Sequence, residues 1–462
     1  MHVVFATAEF APLVRVGGLA AAAAGLVAEL RRQGVTVDVV LPDYFGTELT
    51  DERTFDLDVP RWAAPAVARH GTVAGVGDLI LIDVPGIRRP HPYVQPDGEG
   101  FADNDERFFA FSAAVAAVAR QMRPDVVHLN DWHTATTLAH LDPPIPSVLT
   151  IHTLGYQGWT NTGWLRAFPV HPEAFLHEGA CNPLVGAIRL ADVVITVSPT
   201  YAREALDPAT SAGVHDVLAE RGDRFVGIRN GIDVHEWNPA ADPRLPEPFD
   251  AANPAGKLAS KRAVQAELGL PAADVPLITV VTRLVDQKGI DLAIPAFEMV
   301  ATMPAQVAIL GDGARDLVDA LHDVAARHPA HVGFRQGYDE VLAHRLFAGG
   351  DIFLMPSRFE PCGLAQMQAM QYGALPMVTD VGGLHDTVVD IDAAPRAGTG
   401  VIAHSVTVEG IVDALHRAVR AWNAGARRTA MRKRGMTADW SWTAPAREHT
   451  AWYEEIVDRA TR

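Results

Sequence analysis

Apolar runs of strand length alternate with helical segments along this chain, and they do so in two separate series. The first series opens with the strand "HVVFATA" and a loop ending in "RVGG". A helix from about Leu19 to Arg32, a stop at Gly34 and a second strand, "VTVDVVLP", follow. A strand, a covering helix and a second strand make a βαβ start, which commits the sheet to parallel pairing. Further strands are predicted at "DLILIDV", "PDVVHLN", "PSVLTIH" and "DVVITVS", with a long helix over "DERFFAFSAAVAAVARQM".

From Asn238 to Gly256 the sequence turns Pro-, Asp- and Ala-rich and loses its apolar periodicity, which predicts an inter-domain segment. A second βα series follows: strands at "PLITVVTRL", "QVAILGDG", "HVGFRQG", "DIFLMPS" and "LPMVTD", with helices from Ile290, Ala314 and Gly363 and through "EVLAHRLFAGG". At 462 residues the chain is long for one core, and two domains of roughly 200 residues each are expected. The predicted fold class is therefore α/β, two doubly wound Rossmann-like domains facing a central cleft, with ligands at the carboxyl ends of the strands. The predicted bounds are 1–240 and 247–440, with a terminal helix in 441–462 that returns to the N-terminal domain.

A net charge of -17 argues against binding to nucleic acid or to an anionic membrane surface. Two distant cysteines signal neither a disulfide framework nor a zinc site. The N-terminus "MHVVFATAEFAP" lacks a basic leader and is interrupted by Glu9 and Pro12, so a cytoplasmic protein is expected.

Four segments carry chemistry after predicted strands. In "RVGGLA", paired glycines at a helix start let a phosphate approach free N–H groups, with Arg15 beside them; simple turn chemistry is the alternative. In "HLNDWHTA" and "TIHTLGYQGW", Asp131, His133 and His152 follow adjacent strands, suited to sugar hydroxyls, to a metal or to acid–base work. In "TRLVDQKGI", Arg283 and Lys288 could neutralise a phosphate leaving group or could be a solvated pair. In "SRFEPCGLAQ", Glu360 lies in a turn before a helix, where a carboxylate is by default a cap.

In this order, together with "ADVVITVSPTYARE", "GIRNGIDVHEWNPAAD", "KRAVQAELGL", "YGALPMV", "GGLHDTVVD" and the closing "ADWSWTAPAREHTAWYEEI", these segments resemble the bacterial glycogen synthase and plant starch synthase family. Those are retaining glycosyltransferases of the two-Rossmann-domain GT-B fold, and the resemblance covers nearly the whole chain. It implies donor-phosphate contacts at Arg15, Gly17 and Gly18, and a diphosphate grip by Arg283 and Lys288. It implies a backbone carbonyl of His152 beside the transferring sugar, and sugar-hydroxyl contacts from Glu360. It also implies donor contacts from the turn at Cys362, Gly363 and Leu364 and from Asn230, which could instead only shape its turn. The acceptor side falls on Asp131, His133 and Tyr156. Domain closure is expected to assemble the site. No cofactor is expected. The D-x-D triplets at Asp103 to Asp105 and Asp390 to Asp392 are not read as metal sites.

The sequence departs from the family pattern: Arg15 replaces a lysine, Ala21 an aspartate, Thr153 an asparagine, Val185 a lysine, and Thr379 and Asp380 basic residues. Two enzymatic readings follow. One is glucose transfer from ADP-glucose to an α-1,4-glucan. The other is a secondary-metabolism transferase moving a sugar or cyclitol from a nucleotide donor to a small sugar or amino-sugar, with a C–N link if an amine attacks. A non-catalytic glucan-binding protein is the third reading, disfavoured by the presence together of His152, Arg283, Lys288 and Glu360.

Overall fold

The computed structural model describes residues 1–462, which divide into two compact units: Met1–Gly231 with Trp442–Arg462, and Ile232–Ser441.

The first unit is built on a nine-stranded sheet. Its strands are β1 (His2–Ala6), β2 (Thr36–Pro42), β3 (Thr50–Asp56), β4 (Val67–Val73), β5 (Gly77–Asp83), β6 (Val126–Asn130) and β7 (Ser147–Ile151). After a small hairpin of β8 (Leu176–His177) and β9 (Ala180–Cys181) come β10 (Val193–Thr196) and β11 (Phe225–Gly227). The order is β11-β10-β7-β6-β1-β2-β5-β4-β3, parallel through β5 and antiparallel beyond it. β1 lies between β2 and β6, so the winding reverses there and the crevice past the ends of β1 and β6 is the natural ligand position. The β3 and β4 pair is an addition to the predicted set. β3 reads "TDERTFD" and is almost wholly exposed, an edge blunted by charge and carrying no apolar signal.

The second unit is a six-stranded parallel sheet of β12 (Leu277–Leu284), β13 (Gln306–Gly313), β14 (Val332–Gln336), β15 (Ile352–Met355), β16 (Leu375–Thr379) and β17 (Val401–Ala403). Its order, β14-β13-β12-β15-β16-β17, is the Rossmann order and switches between β12 and β15. β-branched and aliphatic residues such as Ile278, Val280, Val307, Ile309, Ile352 and Leu354 are fully buried under helices, as an all-parallel sheet requires.

Two expectations about organisation are corrected. The Pro-rich stretch Asn238 to Gly256 is not a free connection, and the second unit starts at Ile232 rather than 247. Trp237 stacks on His344 at 4.1 Å between ring centroids, and Asp242 takes hydrogen bonds from His344 Nδ1 and the Tyr372 hydroxyl, each 2.7 Å. Three anchoring side chains, the third being Phe249 against Tyr372, fix an irregular segment that periodicity cannot reveal. The helix expected from Gly363 starts at Ala365, because Gly363 has φ +70° and Leu364 is the cap. The last helix, Thr443–Ala460, packs within the first unit through Trp442, Tyr453 and Ile456. No helix is long and apolar enough to cross a membrane.

Candidate active site

In the second unit two loops meet beyond the switch point. The loop after β12 carries Arg283 and Lys288, and the loop after β15 carries Ser357 to Gly363. They are zipped together by the Arg358 backbone N–H on the Gln287 carbonyl at 2.8 Å and by Gln287 Nε2 on the Phe359 carbonyl at 3.2 Å. The Arg358 guanidinium adds a fork onto Asp291 at 2.7 and 2.6 Å, the bidentate geometry that fixes an arginine best. Gly289 permits this approach: φ is +62°, and a Cβ there would lie 2.0 Å from the Pro356 carbonyl oxygen.

The zipped loops place Lys288 Nζ 2.6 Å from Glu360 Oε2, which also accepts the Ser357 hydroxyl at 3.1 Å. Glu360 is buried and Lys288 half-buried, so this ion pair is largely out of water. Glu360 Oε1 takes no hydrogen bond from the unit, and Lys288 has further N–H donors to offer. Arg283 is exposed and forms no ion pair. Arg283, Lys288, Ile290, Leu354, Ser357 and Ala365 line a cavity of about 140 Å³. Below it the Gly383 N–H donates to the Glu360 carbonyl at 3.0 Å, an approach so close that a Cβ on Gly383 would sit 2.1 Å from the Cys362 carbonyl oxygen.

In the first unit the loop between β1 and the helix Gly18–Arg32 is organised by Glu9, which sequence reasoning treated only as an interruption. Its Oε2 accepts the N–H groups of Val16 and Gly17, both at 2.8 Å, and its Oε1 accepts the Tyr93 hydroxyl at 2.8 Å. A carboxylate deep in an apolar stretch was the available signal. The helix starts without a side-chain cap and without an acidic residue in its first turn. Gly17 and Gly18 have no positive φ, and a Cβ on Gly18 would meet nothing within 4 Å. Neither backbone strain nor internal packing therefore requires these glycines. They leave room beside the N–H groups of the helix's first turn from Gly18 onward, that of Gly17 being held by Glu9, with the exposed Arg15 alongside, an arrangement suited to an anion.

Past β6 and β7, Asp131 and His152 are interlocked. The Asp131 carboxylate accepts the His152 N–H at 2.7 Å as well as that of Thr153, and Asp131 itself has φ +55°, a conformation costing about 1–3 kcal/mol outside glycine. Burial pushes the Asp131 carboxyl up to about 7, the two N–H groups opposing it, so this group can hold or release a proton near neutrality. Burial also pulls the His152 imidazole down to about 3, keeping it neutral. Asn130 Nδ2 donates to the Ala6 carbonyl at 2.9 Å, which leaves its Oδ1 to accept His152 Nε2–H at 2.9 Å and fixes the tautomer.

Other predicted residues land elsewhere. His133 is not presented for an acceptor: its ring lies among Tyr93, Phe108 and Trp132, with centroids 4.4 to 5.0 Å away, and burial holds it neutral. Tyr156 is 68% exposed on its loop. Asn230 is buried, its N–H on the Val197 carbonyl. Val185 and Thr379 are core residues with 0% exposure, so their departures from the family pattern remove no surface contact. Asp380 is exposed and paired with His385. Both D-x-D triplets have internal partners: Arg89 on Asp103, Trp164 and Thr160 on Asp105, Arg417 on Asp390, and Arg417 with Arg427 on Asp392. Glu236, Glu340 and His344 lie close enough to share a cation, but Glu340 already pairs with Arg244, and His344 Nδ1 is bound by the Asp242 carboxylate.

Residues 2–220 match the starch synthase catalytic domain and residues 265–436 match the glycosyl transferases group 1 family. The glycogen synthase of Novosphingobium aromaticivorans is 38% identical over 481 residues, covering 99% of each chain. This chain belongs to the glycogen and starch synthase family. It is a glycosyltransferase. Glycogen synthase 2 of Geobacter sulfurreducens is 37% identical with the same coverage. The catalytic domain of starch synthase IV from Arabidopsis thaliana, solved bound to ADP and acarbose, has a TM-score of 0.89 at 31% identity over 99% of each chain. The two doubly wound sheets described above are thus those of a glycogen synthase relative.

Proposed function

We propose that this glycosyltransferase moves glucose from ADP-glucose to an α-1,4-glucan with retention of configuration. The observation that carries the reading is the Lys288–Glu360 pair at the switch point of the Rossmann-ordered sheet. One partner can neutralise a departing diphosphate while the other, through Oε1, accepts a hydroxyl of the sugar being transferred. The glycogen synthases among its relatives, and the ADP and acarbose in the starch synthase IV structure, support this donor and acceptor class.

In this mechanism Arg283 and Lys288 supply positive charge as the bond to phosphate breaks, and the helix start at Gly18, where Gly17 leaves room, supplies N–H donors beside Arg15. His152 offers its backbone carbonyl to the developing oxocarbenium ion. The departing phosphate takes the acceptor's proton. Because two side-chain cations do the neutralising, turnover is expected to survive chelation of divalent metal. A nucleotide-sugar donor and two buried cysteines outside any disulfide suit a cytoplasmic enzyme.

A smaller acceptor, a sugar or amino-sugar, is the second reading. The partly exposed positions Ala21 and Thr153 favour it, and Val185 and Thr379 do not, since both lie in the core. Release of ADP from ADP-glucose, measured with purified protein in the presence and absence of maltooligosaccharide, decides between them. Acceptor-dependent release that disappears in Glu360→Ala supports glucan synthesis. Silence from a folded, nucleotide-binding protein overturns it in favour of another donor or a small acceptor.

A further inference from the structure

The C-terminal helix Thr443–Ala460 does more than cover the first unit's sheet. It carries Tyr453, 0% exposed, whose hydroxyl lies 2.6 Å from His128 Nδ1. His128 is equally buried in the middle of β6, an unusual position for an imidazole in a parallel core, and its Nε2 lies 2.7 Å from the Thr150 hydroxyl on β7. His128 and Asn130 point to the same face of β6, and Thr150 lies opposite Asn130 in register. The main chain of Thr150 continues the line, since its carbonyl accepts the Asp131 N–H at 2.9 Å and the Asp131 carboxylate accepts the His152 N–H at 2.7 Å. His449, one turn before Tyr453, stacks on His128 with centroids 5.8 Å apart and an interplanar angle of 20°, covering a face of the ring.

We propose that Tyr453 and His128 are positioning residues for His152: a hydrogen-bonded line from the C-terminal helix through Thr150 sets where the ends of β6 and β7 hold the His152 backbone. The inference rests on the assignment of His152 to the transferring sugar. Both ring nitrogens of His128 are used, and burial holds the ring neutral, so one nitrogen donates its N–H to one hydroxyl while the other accepts the O–H of the second. Removing either hydroxyl leaves an imidazole nitrogen without a partner in an apolar core, and the strand end two residues from His152 relaxes to satisfy it.

The test is a double-mutant cycle of Tyr453→Phe and Thr150→Val, with Ile456→Val as a packing control on the same helix. Each of the first two variants is expected to lower kcat for ADP-glucose with maltooligosaccharide by about tenfold. The donor KM should stay within about twofold, and Tm should fall by a few degrees, the cost of a buried imidazole nitrogen left unpaired. The double variant should be no slower than the slower single one, because a broken line cannot be broken twice. Ile456→Val should lower Tm and leave kcat unchanged. A Tyr453→Phe kcat within twofold of the parent, additive effects, or a loss confined to KM overturns the proposal. A substrate-free reading separates it from the donor assignment: in ¹⁵N-histidine-labelled protein the His152 ring-nitrogen signals should shift in Tyr453→Phe, and unchanged signals overturn the proposal. If those signals shift while the parent protein does not turn over ADP-glucose, the donor assignment fails and the positioning line stands.

Discussion

At the scale of single residues, substitution separates what Gly18 does for the fold from what it does for a ligand. Gly18 has space around its missing Cβ and ordinary helical backbone, so Gly18→Ala should leave Tm unchanged or stabilise the fold by less than about 1 kcal/mol. If the space serves a donor phosphate, the same variant raises the donor KM by roughly tenfold, equivalent to about 1.4 kcal/mol of lost binding. Steady-state kinetics beside a melting curve checks both halves. Glu360→Gln keeps the shape of the side chain but strips Lys288 of its counter-charge, and a fall in kcat/KM of roughly a hundredfold is expected, the scale of one electrostatic contact to the transition state. The sequence showed Arg283 and Lys288 as a pair of cations and Glu360 as a separate candidate, with nothing to join them. The Ser357 hydroxyl on Glu360, and the grip of Gln287 and Asp291 on Arg358 and Phe359, were invisible because nothing in residue spacing states that two loops 72 residues apart are zipped together.

At the scale of elements, close backbone approach decides which turns can vary. Gly383→Ala would drive a methyl group into the Cys362 carbonyl and pull away the N–H that holds the Glu360 carbonyl, so a loss of about 2–4 kcal/mol is expected by urea denaturation, with activity lost in parallel. Gly25 plays a comparable part for the last helix. A Cβ there would lie 2.1 Å from the Trp442 indole nitrogen, so Gly25→Ala should displace the start of Thr443–Ala460 and lower Tm by several degrees. Strands buried on both faces were legible as continuous apolar runs, and helices as alanine-rich or amphipathic periods. β3 and the Ile232 to Gly256 segment were not, since one is a charged edge and the other is held by a few anchors rather than by a repeat.

At the scale of the whole molecule, the first unit carries an acid liability. His128, His133, His140, His152 and His449 are all in it, and burial lowers each below the usual imidazole range, to about 3 for His133 and His152 and about 4 for His140 and His449. A histidine whose folded pKa is depressed contributes its full stability above the unfolded value near 6.5 and loses it as pH falls toward the folded value. Asp131, raised to about 7, has the opposite sign: it weakens the fold as pH rises from about 4 to 7. Five groups against one predict that Tm falls steadily between pH 6.5 and 4, each histidine accounting for at most about 2 kcal/mol at pH 5. Calorimetry across that range checks it. Tm that holds level down to pH 4 would show that the imidazoles reach water.

The sequence by itself determined the two βα series, and with them parallel sheets whose ligands lie past the strand ends, because local periodicity and turn residues encode each element. It also determined which charged residues sit in those loops. Only the tertiary structure decided that Glu9 organises the glycine loop, that His133, Val185 and Thr379 are core, and that Tyr453 reaches His128 across 325 residues of chain. Those facts depend on which elements become neighbours, and neighbourhood is fixed by the summed packing of the whole unit, which no single stretch of residues contains.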